Sequence, residues 1–239
     1  MAGETIRTEA ICLDIRPWSR TSHVVSWLTP EGRVLTVVKG AVRPKSAFLG
    51  QYDFNYTCDI LYYARAKGEL HALRDCVPLD RRDALRGNYR ALALAGHFRR
   101  LVSDLAPAGT DCAAWHTLLS DFLSRLSESS ASAADLVRLL VSFELAVLGL
   151  AGLKPDFASA DPAAEWTSFS VETGTLGTNE GRIVRLSRET LAYLRDPTRP
   201  VENLAPPLDA ARVIGVFYQF HLDTAFDVRR SVLRMISEN

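Results

Sequence analysis

Residues 16–50 read RPWSRTSHVVSWLTPEGRVLTVVKGAVRPKSAFLG. A basic turn flanked by an aromatic residue (Arg16, Trp18, Arg20) leads into HVVSWLT at 23–29. That run is β-branched and bounded by turn residues, so it predicts a strand. A Pro-Glu-Gly turn follows, then a second apolar strand, VLTVV at 34–38, and then a basic loop carrying Lys39, Gly40, Arg43 and Lys45. Between 16 and 45 there are six basic side chains (Arg16, Arg20, Arg33, Lys39, Arg43, Lys45) against one acid, Glu31. The whole chain, with 28 basic and 28 acidic residues, is neutral, so this positive density is local. A small barrel that offers cations to phosphates and aromatic faces to bases accounts for such a pattern. The alternative reading is a solvated charged face with Trp18 as a barrel plug.

Outward from this stretch, the β pattern fills residues 5–79. Thr5–Arg16 alternates imperfectly. FNYTCDILYY at 54–63 alternates with aromatic and apolar residues on one side. Lys67-Gly68 marks a turn, and Glu69–Leu73 pairs back as a hairpin. Five short strands punctuated by Gly and Pro, with no helix longer than a turn, predict a small closed barrel of the oligonucleotide-binding type.

From about Asp80 the period changes. Leu85, Tyr89, Leu92, Phe98 and Leu101 recur near 3.6 residues and predict a helix over 83–103. A second helix is expected over 115–126. A third is expected over 133–149, capped by Ser132 and apolar nearly all round, hence central to a bundle. Residues 155–181 are rich in small, Gly and Pro residues, with a strand-like patch at 166–171, and predict an irregular hairpin inserted between helices. Ser187 caps a further helix over 187–194, and 206–236 supplies the last one or two. The predicted fold is α+β: an N-terminal OB-fold β-barrel over 1–79, then an all-helical domain over 80–239 with a small insertion at 155–185.

Charge divides the chain. Residues 1–100 carry 16 basic and 10 acidic side chains; residues 101–200 carry 8 and 13. Two surfaces with different partners are the natural reading. The first residues, MAGETIRTEAICLDIR, lack the pattern of a signal peptide, and no apolar run approaches the ~18 residues of a membrane span. A cytoplasmic protein with no membrane partner is expected. Its four scattered cysteines (Cys12, Cys58, Cys76, Cys112) read as free thiols.

Catalytic chemistry finds little support. The five histidines (His23, His71, His97, His116, His221) show no metal spacing. There is no nucleophile elbow and no phosphate loop of the G-x-x-x-x-G-K-[ST] type. No enzyme and no cofactor are expected.

Four segments together resemble the RecO family of DNA repair proteins. RPWSRTS at 16–22 is similar to the family's Arg-Pro-Trp/Tyr-Ser/Gly-Glu-x-Ser/Asp segment. LTPEGRVLTVVKGAVRPKS at 28–46 is similar to its Thr-x-x-x-Gly-x-x-x-x-x-Ala-Lys-Gly-Ala-Arg segment. FELAVLGLAGLKPDF at 143–157 resembles its Phe-Glu-x-x-Leu-Leu-x-x-x-Gly-x-x-Pro-x-Leu helix end, and FSVETGTLG at 169–177 resembles the approach to the second half of its zinc knuckle. The likeness runs through the whole chain in order. Two departures stand out. Many family members hold zinc with four cysteines in the insertion, whereas residues 155–185 here contain no Cys and no His. The insertion is then expected to be ordered by its own packing, through Trp166 and Phe169. Arg20 also stands where the family usually has an acid.

The resemblance implies a non-enzymatic recombination and repair mediator. Such proteins bind single- and double-stranded DNA, anneal complementary strands and act with RecR and usually RecF. They help replace single-stranded-DNA-binding protein (SSB) with the RecA recombinase, which implies a nucleoid-associated location. The expected DNA contacts are Arg16, Trp18, Arg20, Arg33, Lys39, Arg43 and Lys45, with Phe48 and Tyr52 as further stacking candidates. The family holds the acidic, apolar C-terminal tail of SSB in a groove on the helical body. The match places Leu145 there. The usual cation falls at Val141 or Ser142 here, so Arg138, one turn earlier, is the candidate substitute; Leu145 as plain core is the competing reading. A second function class also fits: an OB-fold adaptor working mainly through protein–protein contacts, favoured by zero net charge and the missing zinc ligands. DNA binding at two salt concentrations separates the two.

Overall fold

The structure, a computed structural model, describes residues 4–65, 68–108, 111–129, 132–158, 164–199, 203–222 and 226–237. Five strands form the N-terminal barrel: β1 (Thr5–Ser19), β2 (Ser22–Thr29), β3 (Gly32–Val38), β4 (Thr57–Tyr63) and β5 (Leu70–Asp80). They run in the order β1-β2-β3-β5-β4, and β1 closes the circle against β4 in register Thr5↔Tyr63 to Ile11↔Thr57. All pairs are antiparallel except β3 with β5, which pair in parallel from Leu35↔Leu70. This is the five-stranded barrel expected from the sequence. Closure leaves no open sheet edge, which removes the hazard of an unpaired strand.

The barrel core holds Ala10, Cys12, Val25, Trp27, Cys58 and Ile60, all buried. Trp27 brings a polar N–H inside, and Thr36 Oγ1 accepts it at 2.8 Å. The four cysteines are free and buried. Burial pushes the Cys12 thiol well up, so it packs as a small apolar side chain.

Two expectations shift. The expected β5 ended at Leu73, but the strand continues to Asp80, with bulges against β4 that absorb its irregular alternation. The expected helix over 83–103 begins instead with a short 3-10 turn, Asp83–Gly87, followed by α1 (Tyr89–Leu105). Gly87 weakens a continuous helix. Asn88 restarts it, its Oδ1 accepting the N–H groups of Arg90 and Ala91 at 3.1 Å each. The predicted Lys67-Gly68 turn lies partly outside the described residues.

The chain forms two compact units. The first takes residues 1–87 and 98–127, and the second takes 88–97 and 128–239. Helix α2 (Ala113–Glu128) begins beside the barrel, with Cys112 N–H donating to Pro30 O at 2.9 Å. Arg82 completes the tie. It is buried, sits at φ +48°, and donates to Asn55 O (2.7 Å), Thr57 Oγ1 (2.9 Å) and Ser120 Oγ (3.3 Å).

In the second unit, α3 (Ala133–Leu150) starts at Ser132, whose side chain accepts Asp135 N–H. It is buried along most of its length and packs against α5 (Ala205–Leu222) and α6 (Phe226–Ser237). The expected central helix is this one. Its buried carboxylate, Glu144, is fully enclosed and accepts Arg229 Nε and Nη2 at 2.7 Å each and His97 Nε2 at 2.8 Å. Arg229 also donates to Ala211 O at 2.7 Å. Tyr218 Oη donates to the backbone carbonyl of Glu144 at 3.0 Å. This cluster ties α1, α3, α5 and α6 together. No described helix is long and apolar enough to cross a membrane.

Gly215 in α5 makes room for this cluster. A Cβ there would collide with the Arg229 guanidinium, which two bonds to Glu144 hold in place. Gly215→Ala gains helix propensity of about 1 kcal/mol but must displace Arg229. A net destabilisation of about 1–3 kcal/mol is expected by chemical denaturation, typical of overpacking. Unchanged or raised stability would show that the guanidinium moves freely.

The insertion forms a two-stranded antiparallel ribbon, β6 (Trp166–Ser170) and β7 (Ile183–Ser187), followed by α4 (Arg188–Arg195) with Ser187 as its N-cap. Residues 159–163 of the expected hairpin lie outside the described ones. Phe169 is fully buried, with ring centroids 5.4 Å from Phe157 and 6.1 Å from Phe217. Trp166 does not share that role. It is half exposed, and the Arg185 guanidinium covers its ring at 5.7 Å. Since residues 155–185 offer no thiolate or imidazole, elemental analysis is expected to find no stoichiometric zinc, with full helicity in chelator. One tightly held zinc per chain would contradict this.

Candidate nucleic-acid interface and partner groove

The barrel's basic residues are brought together by two hydrogen bonds. Ser22, at the start of β2, accepts Gly40 N–H on its Oγ at 3.2 Å, and Thr21 O accepts Val42 N–H at 3.3 Å. These bonds fasten the loop after β3 onto the β1–β2 turn. The loop itself turns at Gly40, φ +68°, a conformation suited to glycine. It then chains through Arg43 N–H to Gly40 O (3.1 Å) and Ser46 N–H to Arg43 O (2.9 Å). Arg20 thus shares one end of the barrel with Lys39, Arg43 and Lys45. All four are exposed, and no described carboxylate forms an ion pair with any of them.

Trp18 is 63% exposed. The β1–β2 register skips between Pro17↔His23 and Ser19↔Ser22, so Trp18 is the extra residue of a β-bulge. A bulge re-aims its side chain, and here it leaves the indole outside the barrel core. Arg16, two residues before, is also exposed, but its Nε donates to Asp14 Oδ2 at 2.5 Å. That pairing leaves it a weaker cation for an external phosphate than its unpaired neighbours.

Three of the sequence-based candidates stand apart. Arg33 is half-buried, and its Nη1 donates to Ser103 O at 2.8 Å, so its guanidinium serves the packing of α1. Tyr52 is half-buried, shares a hydrogen bond with His23 Nδ1 at 2.8 Å and meets Trp27 edge-on. Phe48 packs against the barrel core. The positioning roles of Ser22 and Thr21 had no sequence signal beyond their place in a turn.

The second unit carries a separate groove of about 810 Å³. Ser142, Leu145 and Ala146 of α3 form one wall. The loop from Lys154 to Ala158 forms another, and Leu194, Arg195 and Pro197 close it. Leu145 is both largely buried core and part of this lining. Arg138 is not among the lining residues; its Nη2 binds Asp135 Oδ1 at 2.6 Å. The lining cations are Lys154, which is exposed, and Arg195, which donates to Phe157 O (2.7 Å) and Ala158 O (3.2 Å) and so holds the loop. Nothing local in the sequence joins Arg195 to a loop 38 positions earlier. Ser142 Oγ, in the lining, is buried without a partner, as are Tyr193 Oη and Arg138 Nε outside it. Burial pushes the Tyr193 hydroxyl up to about 12, against the opposing charge of Arg138. The lining also holds one exposed acid, Asp156, against the two cations, so an apolar floor with a net positive rim suits an acidic segment with apolar residues.

Comparison with known proteins agrees with this architecture. Residues 1–82 match the family profile described as Recombination protein O N terminal, and residues 86–230 match Recombination protein O C terminal. Relatives named DNA repair protein RecO include one from Alkaliphilus metalliredigens, 27% identical over 167 residues, which is 69% of this chain and 65% of that protein. One from Proteus mirabilis is 29% identical over 165 residues (67% and 64%), and one from a Roseiflexus species is 29% identical over 156 residues (65% and 53%). The chain thus spans less than two thirds of the length of the curated relatives it matches. With both halves of the family profile matched in order, over the barrel and over the helical body, the chain belongs to the recombination protein O family.

Proposed function

We propose that this chain is a non-enzymatic DNA recombination and repair mediator whose barrel binds single- and double-stranded DNA without sequence preference. The observation that carries this reading is the gathering of Arg20, Lys39, Arg43 and Lys45, unpaired with described acids, beside the exposed ring of Trp18. Cations displace counterions from phosphates whatever the sequence, and an indole face stacks on any base. Arg16 adds a weaker contact. The groove lined by Leu145, Lys154 and Arg195 supports a second part of the reading, in which the helical unit takes up the acidic C-terminal tail of SSB. Action with RecR, and with RecF during loading of RecA, in the cytoplasm at the nucleoid, completes the proposal.

The test is strand annealing without nucleotide. A cationic face lowers repulsion between strands and concentrates both. Bare complementary strands are expected to anneal faster with the protein than without it. SSB-coated strands are expected to anneal faster when the coat protein keeps its tail than when the tail is deleted. Equal rates on the two coats would remove the tail from the mechanism. Failure on bare strands would favour the OB-fold adaptor instead, a reading that the partner groove also suits.

A further inference from the structure

A second basic groove, of about 530 Å³, lies between α5 and α6 of the helical unit. Arg212 on α5 and Arg230 and Arg234 on α6 line it, with Leu208 and Leu233 beside them. All three arginines are exposed. Among the described residues that line the groove there is no acid; Asp209, next to it, is held by Arg212 at 2.7 Å. Arg230 and Arg234 are one turn apart on the same helix face. Their helix is fixed from its other side, because Arg229 points inward to the buried Glu144. The fold therefore brings three guanidinium groups to one opening, two on this fixed helix and one, Arg212, already shared with Asp209.

We propose that this groove is a second nucleic-acid site, one that grips the phosphate backbone alone. Guanidinium forks match phosphate oxygens in paired hydrogen bonds, and one helical turn spaces two of them to serve neighbouring phosphates. No described lining residue is aromatic, so no base stacks there and the contact is indifferent to sequence and to strandedness. The proposal rests on the DNA-binding reading above but on different residues. Each compact unit would then carry its own phosphate-binding surface, which lets one chain engage two stretches of DNA.

The experiment compares the full chain with Arg230→Glu/Arg234→Glu, with the milder Arg230→Gln/Arg234→Gln, and with a charge-matched control, Arg182→Glu/Arg199→Glu, whose side chains are exposed outside the groove. Fluorescence anisotropy on single- and double-stranded oligonucleotides is read across salt, with circular dichroism to check folding. The groove double reversal is expected to lower affinity for both forms roughly tenfold and to flatten the log–log salt slope on duplex by about 2, at ~0.9 per phosphate contact. The glutamine pair should move both readings in the same direction. Combined with the barrel variant Arg16→Ala/Arg20→Ala/Lys39→Ala/Arg43→Ala, the reversal should remove the residual binding. An unchanged slope in the folded groove variant, with the barrel variant weakened, would overturn this site and leave the barrel reading standing. An equal loss in the control would overturn it as a net-charge effect. Reduced affinity for a poly-glutamate peptide with DNA binding intact would overturn it in favour of an acidic protein partner. Full binding by both the barrel and the groove variants would sink the two readings together.

Discussion

Glu144→Ala is expected to destabilise the helical unit by about 3–5 kcal/mol, the usual result of breaking a buried ion pair from one side. The substitution leaves Arg229, itself buried, without its carboxylate, and removes the Glu144 oxygen that meets His97 Nε2. The penalty is that of an uncompensated charge more than of a lost attraction. A further variant separates these effects. Glu144→Leu combined with Arg229→Met removes both charges and keeps apolar volume, so it should cost less than the sum of the two single changes. Chemical denaturation followed by helix signal gives both numbers. Additive costs would show that the pair acts as two independent side chains.

The same cluster sets a pH dependence. Burial alone would raise the Glu144 carboxyl, but the Arg229 charge and the hydrogen bonds from His97 and Arg229 outweigh it and hold the group below the ordinary range. A carboxyl depressed on folding contributes stability that is fully present above its unfolded value, about 4.3. That contribution is lost as pH falls from there through the lower folded value. Acid unfolding of the wild type should therefore be steeper below about pH 4.3 than that of the Glu144→Leu/Arg229→Met variant.

Replacing Arg16, Arg20, Lys39 and Arg43 together with alanine is expected to lower DNA affinity by roughly two to three decades at low salt. The estimate takes about 1 kcal/mol for each surface contact and discounts Arg16, which Asp14 already engages. On duplex DNA the log–log salt slope should flatten by about 3, at ~0.9 per phosphate. Trp18→Ala should behave differently. Stacking requires an unpaired base, so about 1–3 kcal/mol should be lost on single strands and little on duplex. Anisotropy on both substrates across salt distinguishes the two. An unchanged affinity in the folded quadruple variant would remove this face from DNA binding. Equal losses on both substrates from Trp18→Ala would make the indole a structural part of the bulge.

The basic barrel end was legible in residues 16–45 because β-hairpins place their turns together: once β1, β2 and β3 are paired strands, Arg20 and Lys39 must lie at one end. Arg33 shows the limit. Its charge is as visible in the sequence as that of Arg43, yet its guanidinium is taken by a carbonyl 70 positions away. The exposure of Trp18 was not legible either, because imperfect alternation in β1 does not say which residue the partner strand skips. In the second unit the match at 143–157 placed Leu145 at the groove. Its cations Lys154 and Arg195 and the engagement of Arg138 by Asp135 depended on which surfaces met.

By itself the sequence determined the order and kind of the elements. Period-2 runs broken by Gly and Pro form a barrel, and the 3.6-residue runs that follow form helices, because these patterns depend on neighbours a few positions apart. Its Ser132 and Ser187 caps fixed where two helices begin. The tertiary structure alone decided that residues 98–127 pack with the barrel, that Arg82 crosses to Asn55, Thr57 and Ser120, and that Glu144 meets His97 and Arg229. Those partners lie between 25 and 85 positions apart. At such distances no local pattern specifies which polar groups share one buried space; that is settled by which apolar faces close around them.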